Sequence, residues 1–189
     1  MAEAKHGPSM KMKTGPMKIF GLAGWSGSGK TTLMVRLLPE LVGRGISVST
    51  VKHAHHSFEI DRPGKDSYEH RVAGATEVMV TGGLRWALMH EIRDQAEPSV
   101  ADLMRHMTPV DLLLIEGFKN HTHPKLEVHR PATGRPLLCA NDPNIVAVAS
   151  DAELEGLDIP QLDLNDVRAI ADFIAEYCGL QGRAGHGTA

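Results

Sequence analysis

Eight consecutive residues constrain this fold more than any other stretch of the chain: Gly24-Trp25-Ser26-Gly27-Ser28-Gly29-Lys30-Thr31. They match the pattern G-x-x-x-x-G-K-[ST] in full. Before them, KIFGLA (18–23) is a short apolar run that reads as a buried strand. After them, TTLMVRLLPELVGR (31–44) places Leu33, Leu37 and Leu41 on one helical stripe, widened by Met34 and Leu38. A glycine turn between a strand and a helix is an anion cradle. Successive backbone N–H groups curl inward, and the helix adds the positive end of its dipole. Lys30 is placed to reach β and γ phosphates, and the Thr31 hydroxyl to bind Mg²⁺. The candidate phosphate-binding set is therefore Gly24, Trp25, Ser26, Gly27, Ser28, Gly29, Lys30, Thr31 and Thr32.

The remaining pattern alternates strands with helices. ISVSTV (46–51) is β-branched and reads as a second strand, followed by a polar loop over 53–65. DSYEHRVAG (66–74) reads as a short helix with Asp66 and Glu69 in a capping-box spacing. TEVMVT (76–81) and RWALMH (85–90) read as a hairpin around Gly82-Gly83-Leu84. A helix over 99–106 has Ser99 as its expected N-cap. VDLLLI (110–115) is the most apolar strand and the expected centre of the sheet. Short strands are expected at 127–129 and 145–149, and a last helix over 165–177. Pro39 is expected to kink or restart the first helix, because it lacks a backbone donor. The sum predicts an α/β protein: a P-loop NTPase with a mostly parallel central sheet covered by helices on both faces, plus an extending β-hairpin. Residues 1–16 read as a flexible leader, 17–178 as one nucleotide-binding domain and 179–189 as a flexible tail.

A second acidic element is expected after a buried strand, at the edge where open α/β sheets bind ligands. Glu116 occupies that place, followed by Gly117, which permits close backbone approach to the γ-phosphate or simply makes a turn. Glu116 can hold Mg²⁺ through water or orient an attacking water; the alternative is a capping or solvent-facing acid. Asp111, at the strand's other end, is the weaker candidate. Asp61 and Asp66 flank Arg62-Pro63-Gly64-Lys65, a charged loop of switch-like character, so each is a candidate metal ligand or base and each is equally readable as a solvated loop acid. His53, His55 and His56 leave the second strand together. Their spacing is not a standard zinc set, and phosphate, substrate or partner contact, a plain surface loop, and metal binding all stay open. The Asn-Lys-x-Asp run that reads guanine is absent; Asn141-Asp142 and Ser150-Asp151 stand in comparable late positions, Asp151 being the better placed after the 145–149 strand, and the residues leave guanine and adenine both open.

Composition adds limits. The formal charge is −3, which offers no general attraction to nucleic acid or anionic lipid. Cys139 and Cys178 form no CxxC pair, as expected in a reducing cytoplasm. No apolar run is long enough to span a membrane.

The segments GLAGWSGSGKTTL (21–33), STVKHAHHSFEIDRPGKDSYEHRVAGA (49–75), DLLLIEGFK (111–119) and IVAVASD (145–151) together resemble the MobB family, molybdopterin-guanine dinucleotide biosynthesis protein B. The second segment is far more specific than the phosphate loop alone. The resemblance implies GTP as the nucleotide, with Mg²⁺, and weak intrinsic hydrolysis. It implies an adaptor role in attaching a guanine nucleotide to molybdopterin. The implied partners are a MobA-like guanylyltransferase, molybdopterin or the molybdenum cofactor, molybdoenzymes, and a second copy of the chain whose sheet is extended by exchanged strands. By the same resemblance Asp61 and Asp66 are the switch-like acids and Glu116-Gly117 the second acidic motif. Two other readings remain at this stage: a P-loop small-molecule kinase, and a GTP-dependent binding module that does not hydrolyse.

Overall fold

The computed structural model describes residues 16–54, 58–117 and 121–180. His55, His56, most of the expected leader and most of the expected tail lie outside them. The described chain divides into two compact units, one running to His53 and resuming at Pro109, the other Ala54–Thr108.

The first unit is built on six strands: β1 (Lys18–Ala23), β2 (Val48–Lys52), β5 (Leu112–Glu116), β6 (Lys125–His129), β7 (Ile145–Ser150) and β8 (Gln161–Asp163). Their order is β2-β5-β1-β6-β7-β8, and each neighbouring pair is parallel. This is the expected mostly parallel α/β sheet. β5 is buried at every position, as an unbroken LLLI run with helical cover predicts. The short edge strand β8 was not foreseen, since three residues carry too little pattern to register.

Helices α1 (Lys30–Gly43) and α4 (Val167–Tyr177) pack together over one face. Leu33, Met34, Leu37 and Leu41 of α1 and Ile170, Ala171 and Ile174 of α4 meet Phe20, Leu22, Leu112, Leu114, Leu126, Val128, Ala147 and Ala149 from the sheet. Fully burying each Leu or Ile here contributes about 1.5–3 kcal/mol. The helix does not restart at Pro39: α1 continues through it. The carbonyl that loses its donor is that of Val35, whose side chain is largely exposed, so water can satisfy it.

The opposite face carries a polar row. Lys125, Glu127 and His129 alternate with Leu126 and Val128 along β6, and all are buried. Glu127 Oε1 and Oε2 accept from the backbone N–H groups of Leu138 (2.8 Å) and Cys139 (2.9 Å). Lys125 Nζ meets Asp142 Oδ2 at 2.5 Å. Burial pushes the Asp142 carboxyl up, but hydrogen bonds from Lys125 and Asn144 outweigh this and leave it lowered. The 137–144 segment is therefore tied down by its bonds to the buried charges of Glu127 and Lys125. Both cysteines are raised, mainly by burial, Cys178 to about 11, so neither is an activated thiolate.

The return from β5 to β6 is short, occupying residues 117–124. Its described part lies across β1: Gly21 N donates to Pro124 O at 2.8 Å. A Cβ on Gly21 would stand 2.6 Å from His123 Nε2, so only glycine admits this crossing. Burial, with Lys125 and then His121 nearby, lowers the His123 pKa to about 4.

The second unit holds α2 (Asp66–Val72), the antiparallel pair β3 (Glu77–Thr81) and β4 (Trp86–His90), and α3 (Val100–Met104). The hairpin is a two-stranded sheet of its own. Ser99 caps α3 as expected, in a capping box completed by Asp102. The box expected at Asp66 does not form. Lys65 is the N-cap and Asp66 is already the first helical residue, too far into the helix to accept from its N2 or N3 amide.

Candidate nucleotide site

β1 and β5 run side by side with Leu22 opposite Glu116, and β2 flanks β5 with Lys52 opposite the same residue. Parallel register thus brings the ends of three strands together, beside the loop that leaves β1. Gly24, first residue of that loop, has φ 145°. A Cβ there would lie 2.5 Å from Val128 O and 2.7 Å from Ser28 Oγ, so the turn closes only around glycine. Gly29 takes a left-handed conformation as N-cap of α1, and Leu33 N donates to its carbonyl at 2.9 Å. Ser26 and Gly27 stand exposed at the crest, Ser28 is buried, and Thr32 is exposed on the first turn of α1.

Lys30 Nζ donates to Gly24 O and Trp25 O, both at 2.9 Å. The ammonium is therefore held inside the curl of the loop, where an anion's charge would be welcome. Thr31 Oγ1 donates to Glu116 Oε1 at 2.8 Å, and Lys52 Nζ lies 3.6 Å from the same oxygen. Thr31 and Glu116, read separately from the sequence as metal-side candidates, are thus in direct contact. Lys52 was not assigned a role from sequence. Its signal was its place as the last residue of β2, which matters only once β2 and β5 are known to be in register. Gly117, φ 104°, has His53 O only 2.9 Å from where a Cβ would be, and His53 N donates to Glu116 O at 2.8 Å. The close approach at this glycine is to the His53 backbone, and His53 is fastened beside Glu116 by its main chain.

The β6–β7 connection fastens the phosphate loop from its other side. Trp25 Nε1 donates to Pro136 O at 2.7 Å, and the Arg135 guanidinium lies 5.5 Å from the Trp25 ring centroid. Arg130 Nε donates to Ser28 O at 3.2 Å, and its Nη1 donates to Asp151 Oδ2. Asp151 follows β7 directly, so it does belong to the edge that carries the loop. Arg130 and Arg135 went unnoticed in the sequence, because nothing local in RPATGRP marks it as a partner of residues a hundred positions earlier.

Asp61 and Asp66 fall in the second unit. The Asp61 side chain is 7% exposed. It accepts from Arg71 Nη2 at 3.0 Å through Oδ1, while its buried Oδ2 has no partner among the described residues. Glu59 (2.5 Å) and Glu91 (3.4 Å) share the same guanidinium. The hydrogen bond to Asp61 is the main cause of a raised Arg71 pKa, so this cluster keeps its cation. Asp66 is exposed on α2. Asp111, at the far end of β5, accepts from Ser47 N (2.9 Å) and Ser47 Oγ (2.7 Å) and serves to join β2 to β5.

The family model for molybdopterin guanine dinucleotide synthesis protein B, MobB, matches residues 19–151. The chain belongs to the MobB family. It is 44% identical over 166 residues to the molybdopterin-guanine dinucleotide biosynthesis adapter protein of Escherichia coli (strain K12), covering 86% of this chain and 94% of that one. Identity to the adapter protein of the same name from Haemophilus influenzae is 40%, over 84% and 88% of the two chains. Among solved structures, Bacillus subtilis MobB superposes with TM-score 0.68 at 25% identity, over 85% of this chain and 97% of that one. A MobB homologue from Bacillus stearothermophilus gives 0.64 at 26%, over 86% and 99%. The matched MobB region, 19–151, takes in the phosphate loop, Lys52, Glu116, Arg130 and Asp151.

Proposed function

We propose that this MobB-family chain binds GTP with Mg²⁺ and acts as an adaptor in molybdopterin guanine dinucleotide biosynthesis, hydrolysing the nucleotide weakly. The observation that carries the nucleotide reading is the 2.8 Å bond from Thr31 to Glu116 beneath a phosphate loop whose lysine is already folded into it. Among the described residues, no group of three or more His, Cys, Asp or Glu side chains is arranged as a metal cage. Two protein oxygens, Thr31 Oγ1 and Glu116 Oε1, suit Mg²⁺, which keeps waters and phosphate oxygens in its shell. When bound, the ion supplies Lewis-acid charge at the β and γ phosphates.

The chain's own residues divide the remaining work. The N–H groups of the loop and the start of α1 hold phosphate oxygens. Lys30 leaves the Gly24 and Trp25 carbonyls for the β and γ phosphates. Thr31 Oγ1 would hold Mg²⁺, with Glu116 holding it through water or orienting an attacking water and Lys52 balancing the carboxylate's charge. Asp151 accepts from the base. Asp61, proposed as a further metal-side or basic acid, must first leave Arg71, which fits slow turnover. Asp66, exposed on α2, is the second proposed acid of the same kind.

The adaptor role is supported by the named relatives. It takes as partners a MobA-like guanylyltransferase, molybdopterin or its molybdenum-bearing form, and the molybdoenzymes that receive the product. The setting is the cytoplasm, supported by two thiols that are unpaired; no described helix is long and apolar enough to cross a membrane. We also propose a homodimer through the hairpin. Met79 (60%), Val80 (46%) and Trp86 (62%) are exposed there, and an isolated two-stranded ribbon is marginal by itself.

The test is calorimetric titration with GTP, ATP and molybdopterin, with and without the guanylyltransferase, followed by product analysis. GTP-dependent affinity for the partner, with GDP and phosphate as the only slow products, supports the adaptor. A phosphorylated small-molecule acceptor would make the chain a kinase. GTP-dependent affinity with no GDP formed would leave a binding module.

A further inference from the structure

Two subsites of a nucleotide must be held at a set separation, and one side chain in this fold touches the protein's side of both. Arg130 leaves the end of β6, its Nε donating to Ser28 O in the phosphate loop and its Nη1 to Asp151 Oδ2 beyond β7. The side chain also passes the loop closely: a Cβ on Gly29 would lie 3.6 Å from its Nε. Arginine suits such a bridge because its fork is planar and always charged; lysine would offer a single mobile point. Through Oδ1, Asp151 accepts no hydrogen bond from any described residue, and its side chain is 28% exposed.

We propose that Arg130 is a specificity-positioning residue. By bridging the phosphate loop to the Asp151 carboxylate, it turns that acid's second oxygen toward adjacent N–H donors on a guanine-type base edge. The claim rests on the nucleotide reading above and deepens it. Its chemistry follows from the acceptor-only character of an ionised carboxylate. Such an acid favours a base that presents two donors together, as guanine does at its ring N–H and its exocyclic amine. It gains one bond fewer from hypoxanthine and opposes the acceptor of adenine. The arm RPATGRP (130–136) strengthens the bridge, because Pro136 O holds Trp25 at the start of the same loop. Phosphate loop, arm and base-side acid are thus joined within one unit of the chain.

The experiment compares GTP, ITP and ATP binding by calorimetry for the full chain, Arg130→Lys, Arg130→Ala and Asp151→Asn, each checked by thermal melting. The parent is expected to prefer GTP over ITP by about tenfold, the worth of one good hydrogen bond. Arg130→Lys should melt like the parent and lose most of that preference, GTP affinity falling more than ITP affinity. Asp151→Asn should lose the preference as well, since its amide presents a donor where an acceptor is required. Arg130→Ala allows for damage to the loop, and the ratio of affinities remains readable even if all three fall. An unchanged GTP:ITP ratio in both Arg130 variants overturns the proposal, including the case in which all affinities fall by the same factor. A parent that binds none of the three overturns the nucleotide reading itself, and the two failures are distinct.

Discussion

The sheet unit and the hairpin unit use similar residues to opposite ends. In β5, Leu112, Leu113, Leu114 and Ile115 are 0% exposed, and the register of the neighbouring strands aims their ends at a common point. In the hairpin, Met79, Val80, Trp86 and Leu88 are equally apolar and remain accessible, while Val78 is buried. The first region uses its apolar surface to fix the geometry of the candidate site within the chain. The second keeps apolar surface available, which is the physical condition for docking another protein. Substitutions should therefore act on ligand binding and stability in one region and on association in the other.

The largest expected effect is in the phosphate loop. Lys30→Ala removes a charge-assisted contact and should weaken GTP binding by about 3 kcal/mol, over a hundredfold. The melting temperature should shift little, since the bonds to Gly24 O and Trp25 O are local to the loop. Calorimetry showing unchanged affinity would end the phosphate-site assignment. Next comes the buried row under β6. Asp142→Ala removes the carboxylate paired with the nearly inaccessible Lys125 ammonium and should cost about 2–4 kcal/mol in denaturant unfolding. A loss below 0.5 kcal/mol, the usual range for a surface change, would show that Lys125 finds water instead.

Trp86→Asp and Val80→Asp are the matched pair in the hairpin. Each should leave monomer stability within about 0.5 kcal/mol while shifting the mass measured by sedimentation from dimer to monomer at micromolar concentration. A parent that sediments as a monomer throughout breaks the comparison at its second half. Glu116→Gln sharpens the first half: hydrolysis should fall about tenfold or more, with a smaller change in GTP affinity. Equal rates would leave Glu116 a structural partner of Thr31 only.

The smallest effect is a slope with pH. His123 titrates near 4 in the folded chain and near its ordinary value when unfolded, so between those values the unfolded state binds the extra proton. Stability should rise with pH across roughly 4 to 6.5 and level off above. His123→Gln, which cannot titrate there, should flatten that part of the curve; an unchanged slope would assign it to other groups.

Local pattern accounts for much of the fold. The strand before the glycine loop, α1, the hairpin, the capped start of α3 and the apolar β5 were all readable, because each depends on neighbours in sequence. The Asp66 capping box failed for the opposite reason. Its spacing was right, but the chain entered the helix one residue early, and spacing cannot report that.

The chain by itself determined the phosphate loop, since glycines, a lysine and a threonine at fixed offsets create that cradle from backbone geometry alone. It also marked Glu116 as the acid at the end of a buried strand. Tertiary structure decided what those residues meet. Lys52 reaches Glu116 only because β2 and β5 pair in parallel, one register apart from many alternatives. Gly21 must be glycine only because His123 crosses β1 there. Arg130 joins Ser28 to Asp151 only because β1, β6 and β7 lie side by side. These contacts join residues from 21 to more than 100 positions apart, and no propensity of a short segment encodes them; they follow from the strand order that buries the apolar face beneath α1 and α4.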